Sequence, residues 1–269
     1  MQPLGGGPLT CVYSAHDEAA DSACAVKVLR AEWKRDTTAI KLLQREARAG
    51  LTVRHPHLVR VRDAHVTRSP YFLVMDLLVG ESLRRRLRRD YHLDVATALG
   101  ITRQIAEALA ALHRAGFVHA DVKPDNIRLV DAGTAILIDL GFAHRPGEHA
   151  VLHQQGYVLG TVNYLAPELC ALSSDGDFRG DLFSLGVTLF EMLTGKLPYP
   201  PGTPQQTFRR HRDDVPFDIR LFRDDLPAAV IAFVERLLQR RPADRPRAAA
   251  AVQQLIALEI AAMRWRQSA

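Results

Sequence analysis

The chain has little cysteine and no long apolar run. Its 269 residues include three cysteines, Cys11, Cys24 and Cys170, an odd number without metal-ligand spacing. No apolar run reaches the roughly 18 residues of a membrane-spanning helix, and no charged-then-apolar leader marks a signal peptide. We therefore expect a cytoplasmic protein without a membrane segment.

Internal repeats and low-complexity linkers are also absent, so the length suits one domain and little else. A hydrophobic content of 47% indicates an ordinary soluble core. The formal charge is 35 − 30 = +5, which is mildly basic and favours anionic ligands and acidic partners.

The most informative segment runs from His119 to Asn126 and reads His-Ala-Asp-Val-Lys-Pro-Asp-Asn. It places a proton acceptor (Asp121), a cation (Lys123) and a carboxamide metal ligand (Asn126) in one loop. Phosphoryl transfer needs these three groups: a base that orients a hydroxyl, positive charge for the moving phosphate, and a ligand for Mg²⁺. The motif alone is ambiguous, because loop residues of these types also arise by chance.

Three further residues at defined spacings strengthen that interpretation. Asp139 follows the apolar residues 136–138, eighteen positions after Asp121, and suits a second Mg²⁺ ligand in a cleft. Lys27 lies in an alternating, strand-like run, and Glu46 lies nineteen residues later on an amphipathic stretch. The pair would hold the lysine against the phosphates of a nucleotide. Taken alone, Lys27 would be a solvated strand lysine.

The glycine-rich run near the N-terminus, Leu4-Gly5-Gly6-Gly7-Pro8-Leu9-Thr10-Cys11-Val12, lies between short strand-like pieces. Glycines allow backbone amides to approach phosphate closely. This signal is weak by itself, because glycines near a terminus usually belong to a flexible end.

Ala166-Pro167-Glu168, Asp181 and Arg245 complete the set of motifs. In order and spacing, these motifs resemble those of protein kinases of the eukaryotic-like, Hanks type, and their wording is most similar to that of bacterial serine/threonine kinases. The resemblance runs from about residue 4 to about residue 258. It implies an α+β, two-lobed protein kinase fold that forms a single domain over residues 1–269. We expect a small antiparallel-sheet N-lobe with one main helix (about 1–76), a hinge (76–80) and a larger helical C-lobe (about 81–269).

Within that frame, strands are predicted near 9–15, 23–30, 58–66 and 71–76, with a helix near 38–51. Asp94 is expected to cap a long helix that ends at Gly116. Further C-lobe helices are predicted near 182–194, 226–239 and 246–262.

The resemblance assigns roles at the reaction centre. Asp121 would orient the acceptor hydroxyl and take its proton, Lys123 would neutralise the moving γ-phosphoryl group, and Thr161 would lie between them, which favours Ser/Thr over Tyr specificity. Asn126 and Asp139 would hold Mg²⁺, with Mn²⁺ as a substitute.

The same resemblance implies an ATP site. Met75 would guard the back of the adenine pocket, and the backbones of Asp76 and Leu78 would bond to the adenine edge. The residues assigned to nucleotide binding are Gly5, Gly7, Val12, Ala25, Lys27, Glu46, Met75, Asp76 and Leu78. Glu168 and Arg245 match a buried ion pair that is structural.

The chain departs from the family pattern in ways that bear on regulation. Ala120 replaces the arginine that in many relatives binds a phosphate on the activation loop. Residues 142–160 contain no Ser or Thr, and the hydroxyls nearby are Tyr157 and Thr161. We therefore expect activity that does not depend on activation-loop phosphorylation.

Two departures concern the lid over the phosphates and one the metal motif. Thr10 stands where the third loop glycine would be, and the first strand lacks its usual opening half, which would weaken the lid. Leu140 replaces the more common Phe, a change that many active kinases tolerate.

Residues 83–89 read Leu-Arg-Arg-Arg-Leu-Arg-Arg, which predicts a helix with Leu83 and Leu87 inward and five arginines outward. These arginines either form a solvated helix face or attract acidic substrates. Nucleic acid is the less favoured partner.

The leading hypothesis is an ATP- and Mg²⁺-dependent serine/threonine protein kinase that acts on Ser/Thr hydroxyls of proteins. A pseudokinase scaffold is the alternative, motivated by Ala120, Thr10 and the short first strand. A small-molecule kinase of the aminoglycoside type shares the Asp-Asn-Asp core but does not resemble this chain at Lys123, Glu168 or Arg245. The sequence does not identify the substrate, a regulatory partner or the oligomeric state.

Overall fold

The N-terminal lobe is an antiparallel sheet covered by one helix. The computed structural model describes residues 2–131, 133–148, 160–170 and 177–267. The sheet has the order β1-β2-β3-β5-β4. Its strands are β1 (Gln2–Gly6), β2 (Thr10–Asp17), β3 (Ser22–Leu29), β4 (Val61–His65) and β5 (Phe72–Asp76). Helix α1 (Thr37–Thr52) begins where the Asp36 side chain accepts a bond from the Ala39 amide at 2.7 Å.

The register of the sheet places the cleft-facing residues on one side. Val12 and Leu73 lie opposite Lys27, and Met75 lies opposite Ala25. Because alternate residues of a strand share a face, these five side chains project together. Strand β3 thus carries one inward lysine, as the alternating run predicts.

The sheet has one strand beyond the four predicted ranges, at the place of the shortened first strand that the sequence analysis mentions without a range. Strand β1 pairs with β2 from Gln2 opposite Ser14 to Gly6 opposite Cys11, and every β1 residue is exposed. Its amphipathic pattern is absent because both faces of this edge strand contact solvent. Pro3 is tolerated there, since an edge strand does not need every amide for pairing.

The C-terminal lobe is mainly helical. A small sheet, β6 (Glu81–Ser82), β7 (Ile127–Val130) and β8 (Thr134–Leu137), borders the cleft. The described helices are α2 (Leu83–Asp90), α3 (Val95–Arg114), α4 (Pro167–Cys170), α5 (Phe178–Thr194), α6 (Pro204–Asp213), α7 (Ala228–Leu237) and α8 (Ala248–Gln267). Residues 77–80 connect β5 to β6, at the place predicted for the hinge.

Helices α3 and α5 form the centre of the large core. Asp94 caps α3 as predicted, since its carboxylate accepts from the Thr97 amide at 3.1 Å. Helix α5 starts at Phe178, earlier than predicted, because the Asp177 side chain caps it. By length and composition, α3 is the one described helix apolar enough to cross a membrane, yet most of it is buried in this core.

The linker between α1 and β4 joins the lobes by backbone pairing. The Val59 amide donates to the Leu137 carbonyl at 2.9 Å, and the Leu137 amide donates to the His57 carbonyl at 2.9 Å. This pairing fixes the N-lobe sheet relative to β8, the strand that leads into Asp139.

Arg245 uses all five of its N–H groups in the C-lobe core. Two donate to the Glu168 carboxylate at 2.7 and 2.8 Å, and the others donate to the carbonyls of Arg179, Gln239 and Arg240. The Arg245 side chain is fully buried. The predicted pair is therefore present, and it joins the α4 region to α5 and to the segment before α8.

We predict that Arg245→Met lowers the free energy of unfolding by about 3–5 kcal/mol, because the mostly enclosed Glu168 carboxylate loses its main counter-charge. Urea unfolding followed by circular dichroism measures the change. Arg247→Met is the matched control, because Arg247 lies two residues away and is exposed. Equal losses in both variants would contradict a structural role for this pair.

Candidate active site

A cavity of about 430 Å³ lies between the lobes. It contains every residue that the sequence analysis assigns to nucleotide or metal binding: Gly5, Gly7, Val12, Ala25, Lys27, Glu46, Met75, Asp76, Leu78, Asn126 and Asp139. The lining also includes residues to which the sequence analysis gave no binding role: Leu4, Gly6, Thr10, Val59, Leu77, Asp125, Arg128 and Ile138. Four of them belong to the glycine-rich run or to the 119–126 segment, whereas Val59, Leu77 and Arg128 belong to no motif.

Lys27 lies between two carboxylates at the inner end of this cavity. Its Nζ is 2.8 Å from Glu46 Oε1 and 2.7 Å from Asp139 Oδ1. Lys27 and Glu46 are buried, whereas the Asp139 side chain is 44% exposed. The three residues come from β3, α1 and the segment after β8, so one cation connects three elements.

The surroundings shift all three pKa values. Burial alone would lower the pKa of Lys27, but Glu46 and Asp139 raise it above its ordinary value. Burial raises the pKa of Glu46, with Lys27 opposing the shift. Burial would also raise the pKa of Asp139, but Lys27 brings it below its usual range. Lys27 and Asp139 are therefore charged at neutral pH.

The residues predicted for the reaction centre converge on the Asp121 carboxylate. Lys123 Nζ is 2.7 Å from Asp121 Oδ2, and the Thr161 hydroxyl donates to Asp121 Oδ1 at 2.8 Å. Lys123 Nζ also donates to the Thr161 hydroxyl oxygen. The structure thus brings together the three residues predicted for the reaction centre.

Asn126 is oriented so that its amide oxygen can act as a ligand. Its Nδ2 donates to Asp121 Oδ2 at 2.8 Å and to the Asp121 carbonyl at 2.9 Å. With the nitrogen committed to these two bonds, the oxygen is the remaining polar atom. Asn126 and Asp139 both line the cavity, and Mg²⁺ typically takes one or two such protein ligands together with phosphate oxygens. The donor set fits a nucleotide-bound Mg²⁺, and the described residues contain no dedicated cluster of metal ligands.

Two residues of the site have a backbone conformation that is costly for non-glycine residues. Ala120 has φ 67° and Asp139 has φ 65°. The Ala120 turn is held by Asp181, whose carboxylate accepts from the amides of His119 and Ala120 at 2.9 and 2.8 Å. His113 Nε2 contacts the same carboxylate at 2.8 Å.

The hinge residue Asp76 can offer only part of its backbone to a ligand. Its amide donates to the Arg60 carbonyl at 3.0 Å, and Arg62 Nε is 2.6 Å from Asp76 Oδ1. The carbonyl is therefore the Asp76 backbone group left for an adenine edge. Met75 is buried beside it, as predicted for a residue at the back of the pocket.

The glycine-rich turn depends on Gly6. A Cβ at Gly6 would lie 2.5 Å from the Thr10 carbonyl oxygen, whereas one at Gly7 would meet nothing within 4 Å. The Gly7 amide closes the turn on the Thr10 carbonyl at 3.0 Å. Two side chains from beyond strand β3 bind the turn: Arg30 Nε donates to the Gly7 carbonyl and Trp33 Nε1 donates to the Pro8 carbonyl, at 3.1 Å each. These side-chain contacts hold the turn despite the short first strand.

The prediction that all five arginines of α2 point outward is wrong for Arg84. Its guanidinium donates to Glu191 Oε1 at 2.5 Å and also contacts Tyr164, and its Nε is 3.1 Å from Asp125 Oδ2. A buried carboxylate on α5 draws this arginine inward, which a helical pattern in the local sequence does not reveal. Arg85, by contrast, has an 81% exposed side chain.

Comparison with known proteins agrees with this geometry. The protein kinase domain family model matches residues 1–256. A Bifidobacterium longum protein named probable serine/threonine-protein kinase pknA2 is 33% identical over 99% of this chain. Serine/threonine-protein kinase PknD of Mycobacterium tuberculosis is 32% identical over 91% of this chain, and serine/threonine-protein kinase PrkC of Bacillus subtilis is 33% identical over 74%. The alignments cover 36%, 37% and 30% of these proteins respectively, so the chain spans about a third of their length.

Proposed function

Because this chain belongs to the protein kinase family, we propose that it transfers the γ-phosphoryl group of ATP to serine or threonine hydroxyls of proteins. The observation that carries the proposal is a pair of charged centres joined through Asn126, which lines the cavity and donates to Asp121. Lys27, Glu46 and Asp139 form the first, and Asp121 with its bonds to Lys123 and Thr161 forms the second.

Binding of ATP uses the apolar and the charged ends of the cavity for different parts of the molecule. The base would contact Val12, Ala25 and Ile138, and would bond to the hinge backbone. Lys27, held by Glu46, would bind the phosphates. Asn126 and Asp139 would hold Mg²⁺, which neutralises phosphate charge when it is bound.

In the transfer step, the Asp121 carboxylate orients the acceptor hydroxyl and accepts its proton as the bond to phosphorus forms. Lys123 places positive charge beside the transferring group, where preorganised charge stabilises the transition state. The pair stays together because Thr161 bonds to both side chains.

Three features support serine or threonine as the acceptor. Lys123 and Thr161 match the residue types that serine/threonine kinases place at these positions. The two side chains contact each other, and both bond to the Asp121 carboxylate. The relatives named above also carry the name serine/threonine-protein kinase.

Exposed arginines of α2, such as Arg85, favour acidic segments in the substrate.

We extend the proposal to regulation: activity does not require a phosphate on the activation loop. Ala120 cannot bind a phosphate, and residues 142–160 contain neither Ser nor Thr. Thr161 is already bonded to Asp121 and Lys123, and Tyr157 lies outside the described residues. The presence of all the residues expected for catalysis argues against the alternative of a pseudokinase scaffold. These residues are Lys27, Glu46, Asp121, Asn126 and Asp139.

We expect Asp121→Asn to lower turnover on a generic protein substrate by roughly 10²–10⁴, the usual contribution of a positioned base. ATP binding should survive, because Asp121 faces the acceptor. Initial rates with radiolabelled ATP and Mg²⁺ measure the first effect, and calorimetry measures the second. The control is Asp131→Asn, an exposed turn residue with φ 50° that Asn adopts readily. Undiminished phosphorylation by Asp121→Asn would refute the assignment.

Phosphatase treatment should leave the initial rate unchanged, and no lag should precede activity when ATP is added. The reason is that Ala120 replaces the arginine that binds the loop phosphate in many relatives, and that residues 142–160 contain neither Ser nor Thr. Mass spectrometry of residues 139–168 reports the phosphorylation state. A rate that falls on dephosphorylation of Tyr157 or Thr161, and returns on rephosphorylation, would show that this extension is wrong.

A further inference from the structure

Glu148, nine residues after Asp139, contacts two arginines of helix α1. Arg48 Nη2 is 2.6 Å from both Glu148 carboxylate oxygens, and Arg45 Nη2 donates to the Glu148 carbonyl at 2.8 Å. The Glu148 carboxylate also accepts from the Arg145 amide at 2.8 Å. The Glu148 amide in turn donates to the Arg145 carbonyl at 3.1 Å, which closes a turn.

These contacts attach the far end of the segment 139–148 to helix α1. The near end is connected to α1 through Lys27, which binds both Asp139 and Glu46. The Leu140 backbone also bonds to the Glu46 carboxylate. Arg45 and Arg48 are three residues apart, so they share a side of the helix and flank Glu46 in sequence. The segment 139–148 is thus bound to α1 at both of its ends.

The segment 139–148 is also paired with Val118, which directly precedes the 119–126 segment. The Val118 amide donates to the His144 carbonyl at 2.8 Å, and the His144 amide donates to the Val118 carbonyl at 3.1 Å. The ring of Phe117 is fully buried, and the guanidinium groups of Arg48 and Arg145 lie 5.6 and 5.2 Å from its centroid. Movement of Glu148 would therefore disturb α1 and the residues that lead to Asp121.

Arg48 reaches both Glu148 carboxylate oxygens through one nitrogen, Nη2, and hydrogen bonds between charged groups are shorter and stronger than neutral ones. The side chains of Arg48 and Glu148 are 42% and 25% exposed, so solvent and salt weaken the pair without removing it. The Glu148 carboxylate is part of the chain itself, whereas the activation-loop phosphate of many relatives has to be added by phosphorylation.

We propose that Glu148 is a positioning residue: its carboxylate binds Arg48 and so holds α1 where Glu46 meets Lys27. The inference rests on the proposed kinase function and specifies how α1 is held when the activation loop carries no phosphate. It assigns Arg48 and Glu148 to regulation of the nucleotide site, with no contact of their own to ATP.

The experiment compares wild type with Glu148→Gln, Glu148→Lys, Arg48→Glu and the double variant Arg48→Glu/Glu148→Lys. Each is assayed after phosphatase treatment for kcat and for KM of MgATP. Lys41→Ala is the control, because Lys41 is an exposed cation on the same helix. Glu148→Gln keeps the shape of the side chain, so it tests the charge even if the lysine variant folds poorly.

Glu148→Lys should lower kcat/KM for MgATP by roughly tenfold, the scale of a lost hydrogen-bonded charge pair. The double variant should recover most of that loss, because the charges are exchanged rather than removed. Added NaCl should reduce the wild-type rate more steeply than the rate of Glu148→Gln, which has no charge to screen at this site. Lys41→Ala should match wild type in both measurements.

Additive losses in the double variant, or equal salt dependence in wild type and Glu148→Gln, would overturn the inference. So would wild-type rates in both single Glu148 variants. An inactive wild type would instead refute the proposed function, and the two failures are therefore distinguishable.

Discussion

A buried lysine requires counter-charge, and Lys27 obtains it from two elements that are distant in sequence. An unpaired ammonium in the interior would cost several kcal/mol, so β3, α1 and the segment after β8 are stable together only when Glu46 and Asp139 approach. The relative placement of these three elements and the geometry of the proposed nucleotide site therefore depend on the same contact. The backbone pairing of Val59 with Leu137 supports it from the side of the linker.

The two strained residues of the site are each held by a charged group that lies in the interior. Asp139 turns toward Lys27 with φ 65°, and Ala120 adopts φ 67° where Asp181 binds its amide. Such conformations cost about 1–3 kcal/mol each and persist only where the surroundings hold them. Here a buried lysine and a buried carboxylate supply the compensating bonds. Preorganised groups are what phosphoryl transfer demands, because the protein contributes positioning and charge rather than covalent chemistry.

Much of the fold and of the charged site was predictable from sequence, because motif residues are specific in type and spacing. Periodicity also located α1, α3 and α5 to within a few residues. Strand β1 received no predicted range and helix α6 was not predicted, because an exposed edge strand and an arginine-rich helix carry no apolar pattern. The inward turn of Arg84 was not predictable either, since its partner Glu191 lies 107 residues away.

The turn tolerates a side chain at Gly7 but not at Gly6, because the Thr10 carbonyl lies against Gly6. A run of three glycines cannot specify which of them is needed. Likewise, only the fold shows that the Asp76 amide is already bonded and that Glu148 reaches α1. Local sequence identifies which chemistry is present. Long-range packing decides which atoms are available for it.

The most direct test of the site is calorimetric titration with ATP, with and without Mg²⁺, in wild type and in Asp139→Ala. If Asp139 is a ligand of a nucleotide-bound metal, Mg²⁺ should tighten ATP binding to wild type by at least roughly tenfold, about 1.4 kcal/mol. The variant should gain much less from Mg²⁺. Without metal it should bind ATP at least as tightly as wild type, because a carboxylate facing the phosphates has been removed. The same Mg²⁺ effect in both proteins would contradict the account.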